Sequence, residues 1–123
     1  DGEVYYGLLS ENRQNPRACQ KEVDDFILNR IFSASHKEAF WMLEMGVAPY
    51  EDIDKACVYG AGHPMGSFRL LDLTGIDLAY DIGMSHFYES GDPTDLPVPT
   101  IVKKYTEGKF GQKTGEGFYS YKK

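Results

Sequence analysis

Between Asp24 and Met45 the chain contains neither proline nor glycine, and no other segment constrains the fold as much. Ile27, Ile31, Ala34, Trp41 and Met45 recur at helical spacing, with Leu28, Phe32, Ala39, Met42 and Leu43 beside them. The pattern predicts a helix whose apolar stripe is wider than a surface helix needs. Asn29, Ser33, Lys37 and Glu44 remain for the polar face. Asp24 and Asp25 suit an N-cap and the positive end of the helix dipole. Gly46 suits the left-handed residue that closes a helix. A helix this apolar needs cover, from neighbouring helices or from a second copy of the chain.

The remaining elements also read as helical. Pro49 opens a second helix running to about Tyr59, with Glu51, Asp52 and Asp54 loading its start. Gly60 to Gly66 holds three glycines and a proline in a tight loop. Phe68 to Tyr88 is helical, with a break expected near Thr74-Gly75. Pro99 to Glu107 forms a short helix stopped by Gly108. A glycine-punctuated, extended tail follows from Gly111 to Tyr121. The fold class is therefore all-α.

The first residues are mixed: Val4 to Leu9 could form a short strand or a packing arm, and Asn15-Pro16 marks a turn. Residues 1–23 read as a linker or the edge of an upstream domain, and residues 24–123 as the helical domain. The start at Asp1, without methionine, is what a domain from a longer protein would show.

Composition excludes several function classes. A net charge of −6 over 123 residues argues against a general nucleic-acid binder. No apolar run approaches a membrane span, and no signal peptide is in view. Cys19 and Cys57 form no CxxC pair, and a reducing, cytoplasmic setting with two structural thiols is expected. Gly60-x-Gly62-x-x-x-Gly66 misses the dinucleotide fingerprint by one residue and follows a helix. Lys113-Thr114 lacks the glycine spacing of a phosphate loop. His36, His63 and His86 have no metal-ligand spacing, and no GxSxG elbow occurs. The chain shows no complete catalytic apparatus and no metal site.

Four motifs in order alter this picture. Phe26-Ile27-Leu28-Asn29-Arg30-Ile31 resembles the "GFIxNR" opening of the C-terminal domain of 3-hydroxyacyl-CoA dehydrogenases. Glu51-Asp52-Ile53-Asp54-Lys55-Ala56 resembles the start of that domain's second helix. Gly60 through Asp77 resembles "GxGxPMGPFxLxDxxGxD", and Gly111 through Tyr121 resembles the closing "GxKTGxGFYxY". Together they cover roughly residues 18–121.

The resemblance implies a compact helical C-terminal domain of the 6-phosphogluconate dehydrogenase-like type. In that family an upstream Rossmann domain binds NAD and carries a catalytic His–Glu pair. The helical domain closes the acyl-CoA cleft and forms most of a homodimer interface. The resemblance places Asn29 near the substrate oxygen, as a hydrogen-bonding catalytic group. Arg30 is expected to pair with an acidic neighbour or to hold the interdomain seam, and the Pro-Met-Gly loop and the GFYxY tail read as structural. The whole enzyme would oxidise (3S)-3-hydroxyacyl-CoA in fatty-acid beta-oxidation, while the isolated chain would be inactive. Given the acidic overall charge, the CoA phosphates are expected to fall to basic groups of the upstream domain, or to a local pair such as Lys103 and Lys104.

Two departures stand out: Asp24-Asp25 replaces Pro-Gly, and Ser67 replaces the proline of "GPF". They leave room for a noncatalytic, architectural copy of the domain in a multifunctional or fusion protein. Retention of Asn29-Arg30 favours the cleft-lining copy.

Overall fold

The computed structural model describes residues 16–122, with side-chain burial from Phe26 onward. The strand or arm expected at Val4 to Leu9 lies outside the described residues. The described chain is helical, with five α-helices and only isolated bridges in place of a sheet. They are α1 (Pro16–Glu44), α2 (Tyr50–Lys55), α3 (Ser67–Thr74), α4 (Ile76–Ser90) and α5 (Pro99–Thr106). By its contacts the chain divides into two compact units, Asp1–Lys37 and Glu38–Lys123, and α1 runs through the boundary.

Helix α1 starts at Pro16, eight residues or so (about two turns) before the expected cap at Asp24. Proline at the first helical position costs no hydrogen bond, because that N–H has no partner inside the helix. Pro16 is therefore the first residue of the helix, and Asp24-Asp25 lie inside it. The boundary drawn between residues 23 and 24 falls within this helix. Its other end closes as expected. Gly46 has φ +72°, its N–H donates to the Leu43 carbonyl at 3.1 Å, and Val47 N–H donates to Met42 at 2.9 Å. This pair of bonds satisfies carbonyls that the helix leaves open.

In the first unit, Ile27, Leu28, Ile31 and Phe32 are exposed on α1, with Ile31 56% accessible. The wide apolar stripe thus exists as expected. Phe32 stacks on His36 one turn later, with ring centroids 6.1 Å apart.

The second unit holds the core. Ala39, near the end of α1, packs with Ile53, Phe68, Leu71, Ile76, Ile101 and Phe118. Phe68 is fully buried at the centre of an aromatic cluster. Phe118 meets it edge-on at 4.8 Å, and Phe40 and Tyr50 each lie 6.0 Å away. Edge-to-face geometry brings the positive ring edge onto the negative face. Trp41 and Met45 remain exposed on the same helix that supplies Ala39.

The expected second helix is α2, capped by Pro49, and it continues as a π-helical turn over Ala56–Gly60. The break at Thr74-Gly75 is real, because Gly75 has φ +114° and ends α3 before α4 begins. Helix α5 starts at Pro99 and is closed at Gly108, as its sequence predicts. The tail's extended pieces are tied by isolated antiparallel bridges, Gly111 with Glu116 and Glu116 with Ser120, around a 3-10 turn at Gln112–Thr114.

One buried carboxylate holds that tail. Asp72, 1% exposed, accepts from Phe118 N–H at 2.9 Å, Tyr119 N–H at 3.0 Å and the Tyr121 hydroxyl at 2.9 Å. Replacing Asp72 with alanine should cost about 3 kcal/mol or more, since it strands buried donors. Asp72→Asn should recover only part of that, because its amide turns a donor toward donors. Urea unfolding of the two variants measures both losses; an unchanged midpoint for Asp72→Ala would contradict this role.

Candidate functional site

Asn29 is in the middle of α1 and is exposed, in the first unit. Helical spacing puts Ser33 one turn beyond it on the same face. Arg30 is likewise exposed. An asparagine so placed presents a carboxamide with two N–H donors and one acceptor to whatever approaches that face. The surrounding helix fixes its backbone, so its dipole points from a rigid element.

The second unit contains a polar cluster around Asp54, which the sequence marks only as one of three acids at a helix start. Asp54, 4% exposed, accepts from Phe68 N–H and Arg69 N–H, each at 3.0 Å, and from the Tyr119 hydroxyl at 2.9 Å. The two N–H groups belong to the first turn of α3, which lacks partners within its own helix. Asp54 thus caps α3 from another helix, and the negative charge faces the positive end of the α3 dipole. Gly66 lets the backbones meet: a Cβ there would run into the Asp54 backbone and carboxylate. Gly117 does the same for the tail, where a Cβ would strike the Asp72 carboxylate.

Two tyrosines tie these carboxylates to a cation. The Arg69 guanidinium lies 3.6 Å from the Tyr119 ring centroid and donates from Nη1 to the Tyr121 oxygen at 3.3 Å. Tyr121 passes its own proton toward Asp72. Burial, then the bond to Asp54, pushes the Tyr119 phenol well above its ordinary value. Burial also raises Tyr121, with the Arg69 bond opposing and the Asp72 bond adding. Both phenols therefore stay donors at neutral pH.

The three histidines belong to three different elements. His36 stacks with Phe32 on α1, His63 is exposed in the glycine loop, and His86 is exposed on α4. Among the described residues, no three His, Cys, Asp or Glu side chains come together to hold a metal ion. Cys57 is a free thiol, half-buried, while Cys19 lies outside the residues whose side chains are described. Lys103 and Lys104 both lie in the last turn of α5. Neighbouring helical residues diverge by about 100°, and Lys104 lies 5.1 Å from the Phe118 ring while Lys103 is exposed.

The signal for the missed carboxylates was present. Asp72 interrupts Leu70-Leu71-Asp72-Leu73 on the face that also carries Phe68, where a charge needs partners. Tyr119 and Tyr121 are spaced to point the same way from an extended chain. Nothing in the sequence, however, states that these two features meet.

Comparison with known proteins then decides the family. The model for the C-terminal domain of 3-hydroxyacyl-CoA dehydrogenase matches residues 26–121. This chain belongs to that family. Human mitochondrial hydroxyacyl-coenzyme A dehydrogenase is 43% identical over 110 residues, 89% of this chain and 35% of the human protein. A 3-hydroxybutyryl-CoA dehydrogenase of Mycobacterium tuberculosis is 40% identical over 96 residues, 78% of this chain and 34% of that protein. Among solved structures, M. tuberculosis FadB2 superposes with a TM-score of 0.70 at 38% identity, covering 78% of this chain and 34% of that one. The (S)-3-hydroxybutyryl-CoA dehydrogenase PaaH1 of Ralstonia eutropha gives 0.69 at 35% identity, covering 77% and 34%. The chain thus spans about a third of the length of the dehydrogenases it matches. No helix among the described residues is long and apolar enough to cross a membrane.

The closing "GxKTGxGFYxY" motif of the dehydrogenase domain also contains a titrating latch. Lys113 Nζ lies 2.6 Å from the Asp77 carboxylate, joining the tail to the start of α4. The Lys113 bond holds Asp77 below the ordinary carboxylate value, against desolvation. A depressed folded-state value contributes stability above the unfolded value and loses it as pH falls through the folded one. Lys113→Met should raise the Asp77 pKa in a carboxyl chemical-shift titration. The stability gap between the two proteins should be present at neutral pH and close in acid. A gap that persists below both carboxyl transitions would rule out the pairing as its source.

Proposed function

We propose that the chain is the substrate-side, dimerising part of an NAD-dependent (3S)-3-hydroxyacyl-CoA dehydrogenase acting in fatty-acid beta-oxidation. The family match over residues 26–121, with Asn29 retained at the "NR" position, is the observation that carries the reading. Residues 24–123 serve as the helical domain, and the residues before them join it to an upstream nucleotide-binding domain. The names of its relatives support an acyl-CoA substrate. The compartment is a reducing one, the cytoplasm or the mitochondrion, and the human relative's name specifies the latter.

Bound NAD supplies the hydride acceptor. The described residues contain no strand followed by a glycine turn and helix, so they do not fit the dinucleotide, and the upstream domain would hold it. A His–Glu pair in that domain would take the hydroxyl proton. The contribution of this chain is positional. The Asn29 amide donates to the C3 oxygen of the substrate, which changes from alcohol to ketone as the proton leaves. Negative charge builds on that oxygen during the transfer. A fixed N–H dipole stabilises the transition state more than the ground state, which is the condition for acceleration.

In the intact dehydrogenase, Asn29→Ala should lower kcat about a hundredfold, the cost of one well-placed donor. NAD affinity should remain nearly the same, because Asn29 belongs to the other domain. Steady-state kinetics with acetoacetyl-CoA reads both. Unchanged turnover would remove Asn29 from the mechanism and favour the architectural reading of the domain.

Exposed apolar residues on α1 support a homodimer. Ile31 and Trp41 are 56% and 57% accessible, and Met45 is 64% accessible. A stable interface would bury such side chains against a second copy. Light scattering of the full enzyme should give twice the protomer mass, and Trp41→Glu should shift it toward monomer. A monomeric parent at high concentration would overturn the assignment.

A further inference from the structure

The Arg69 guanidinium has a feature that the dehydrogenase role leaves unused. Its Nη1 is engaged by Tyr121 and its face by Tyr119, and the Tyr121 ring centroid is 5.6 Å away. The two tyrosines are themselves fixed by Asp54 and Asp72, which are buried. An arginine side chain ordinarily loses considerable rotamer freedom on binding a ligand. Here stacking and the Tyr121 bond have already ordered it. The Nε and Nη2 donors make no hydrogen bond within the described residues, and no carboxylate forms an ion pair with Arg69 there. Two parallel N–H groups on one edge match the two oxygens of a carboxylate.

Arg69 lines a surface depression of about 440 Å³ between α2, the glycine loop and α3. Lys55 adds a second cation to its lining, and Val58, Tyr59, Pro64 and Met65 add apolar surface. Tyr59 is 85% exposed. Glu51 and Asp54 also line the depression. Asp54 is occupied by its three donors, but Glu51 is exposed and repels added negative charge. A multiply charged anion such as phosphate is therefore disfavoured over a single carboxylate.

We propose that the stacked Arg69 and the depression beside it form a binding site for a monocarboxylate carried on an apolar or aromatic group. The carboxylate pairs with the Nε–Nη2 edge, and the apolar group covers Pro64, Met65 and Tyr59. Asn29 is not among the residues that line the depression. The carboxylate can belong to a free organic acid or to an acidic side chain of a polypeptide segment.

The test is an NMR titration of the 123-residue chain, following backbone amides and the Arg69 Nε–H. Hydrocinnamate stands for a free acid, and an acetylated Phe-Glu dipeptide amide for an acidic segment. Hydrocinnamamide is the uncharged control, and inorganic phosphate the multiply charged one. Expected is saturable millimolar binding of at least one carboxylate probe, with the Arg69 Nε–H shifted. The amide and phosphate should bind about tenfold more weakly or not at all, the strength lost with a charge-assisted bidentate pair. Binding of hydrocinnamate alone assigns the site to free acids, and binding of the dipeptide alone assigns it to polypeptide. Arg69→Lys, which keeps the charge and loses the fork, should weaken binding by a similar factor while leaving the amide spectrum folded. The proposal is overturned if neither carboxylate binds, if the amide binds as well as the acid, or if Arg69→Lys binds equally.

Discussion

Two buried carboxylates hold the second unit together. Asp54 and Asp72 each accept three hydrogen bonds, and between them they reach α3, the tail and both terminal tyrosines. A carboxylate out of water is unfavourable unless donors replace its hydration. Here backbone N–H groups at a helix start and in an irregular tail do so, and these groups would otherwise lack partners themselves. Each side of the bond solves the other's desolvation problem. The aromatic cluster around Phe68 then packs over the result, since Phe118 and Tyr119 are brought in by the amides that Asp72 binds.

This arrangement explains why a short tail can be part of the core without being a strand or a helix. Regular structure satisfies backbone groups by repetition, but residues 115–122 satisfy theirs one at a time. Glycines at positions 111 and 117 allow the close approach, because a Cβ at either would collide with Asp72. The cation–π contact of Arg69 with Tyr119 covers the outer edge of the same cluster. Polar and aromatic contacts are thus interleaved, and each depends on the other for position.

The helices were largely legible in the sequence. Proline and glycine punctuation placed the closing turn at Gly46, the break at Gly75 and the start at Pro99, because those residues restrict backbone angles locally. The start of α1 was displaced because Asp24-Asp25 carries a capping signature although the helix runs through it, while Pro16 also permits a helix start. The role of the acids was not legible. Asp54 looks like one of several acids at a helix N-terminus, and only the three-dimensional approach of α3 separates it from exposed Glu51 and Asp52. Asn29 was found only through family resemblance, since an exposed mid-helix asparagine carries no local signal of chemistry.

The two buried carboxylates also order events during synthesis. Asp72 precedes Phe118 by 46 residues, and Asp54 precedes Tyr119 by 65. A chain made from its N-terminus exposes Asp72 well before any of its three partners exists, and Asp54 well before Tyr119. Until then the first turn of α3 can be capped by Asp54, but Asp72 has only water. The centre around Phe68 therefore lacks one wall until Phe118 has been made, and it closes in a late step when the tail arrives. A truncation that removed only the last aromatic residues would leave the helices in sequence and deny them that final closure.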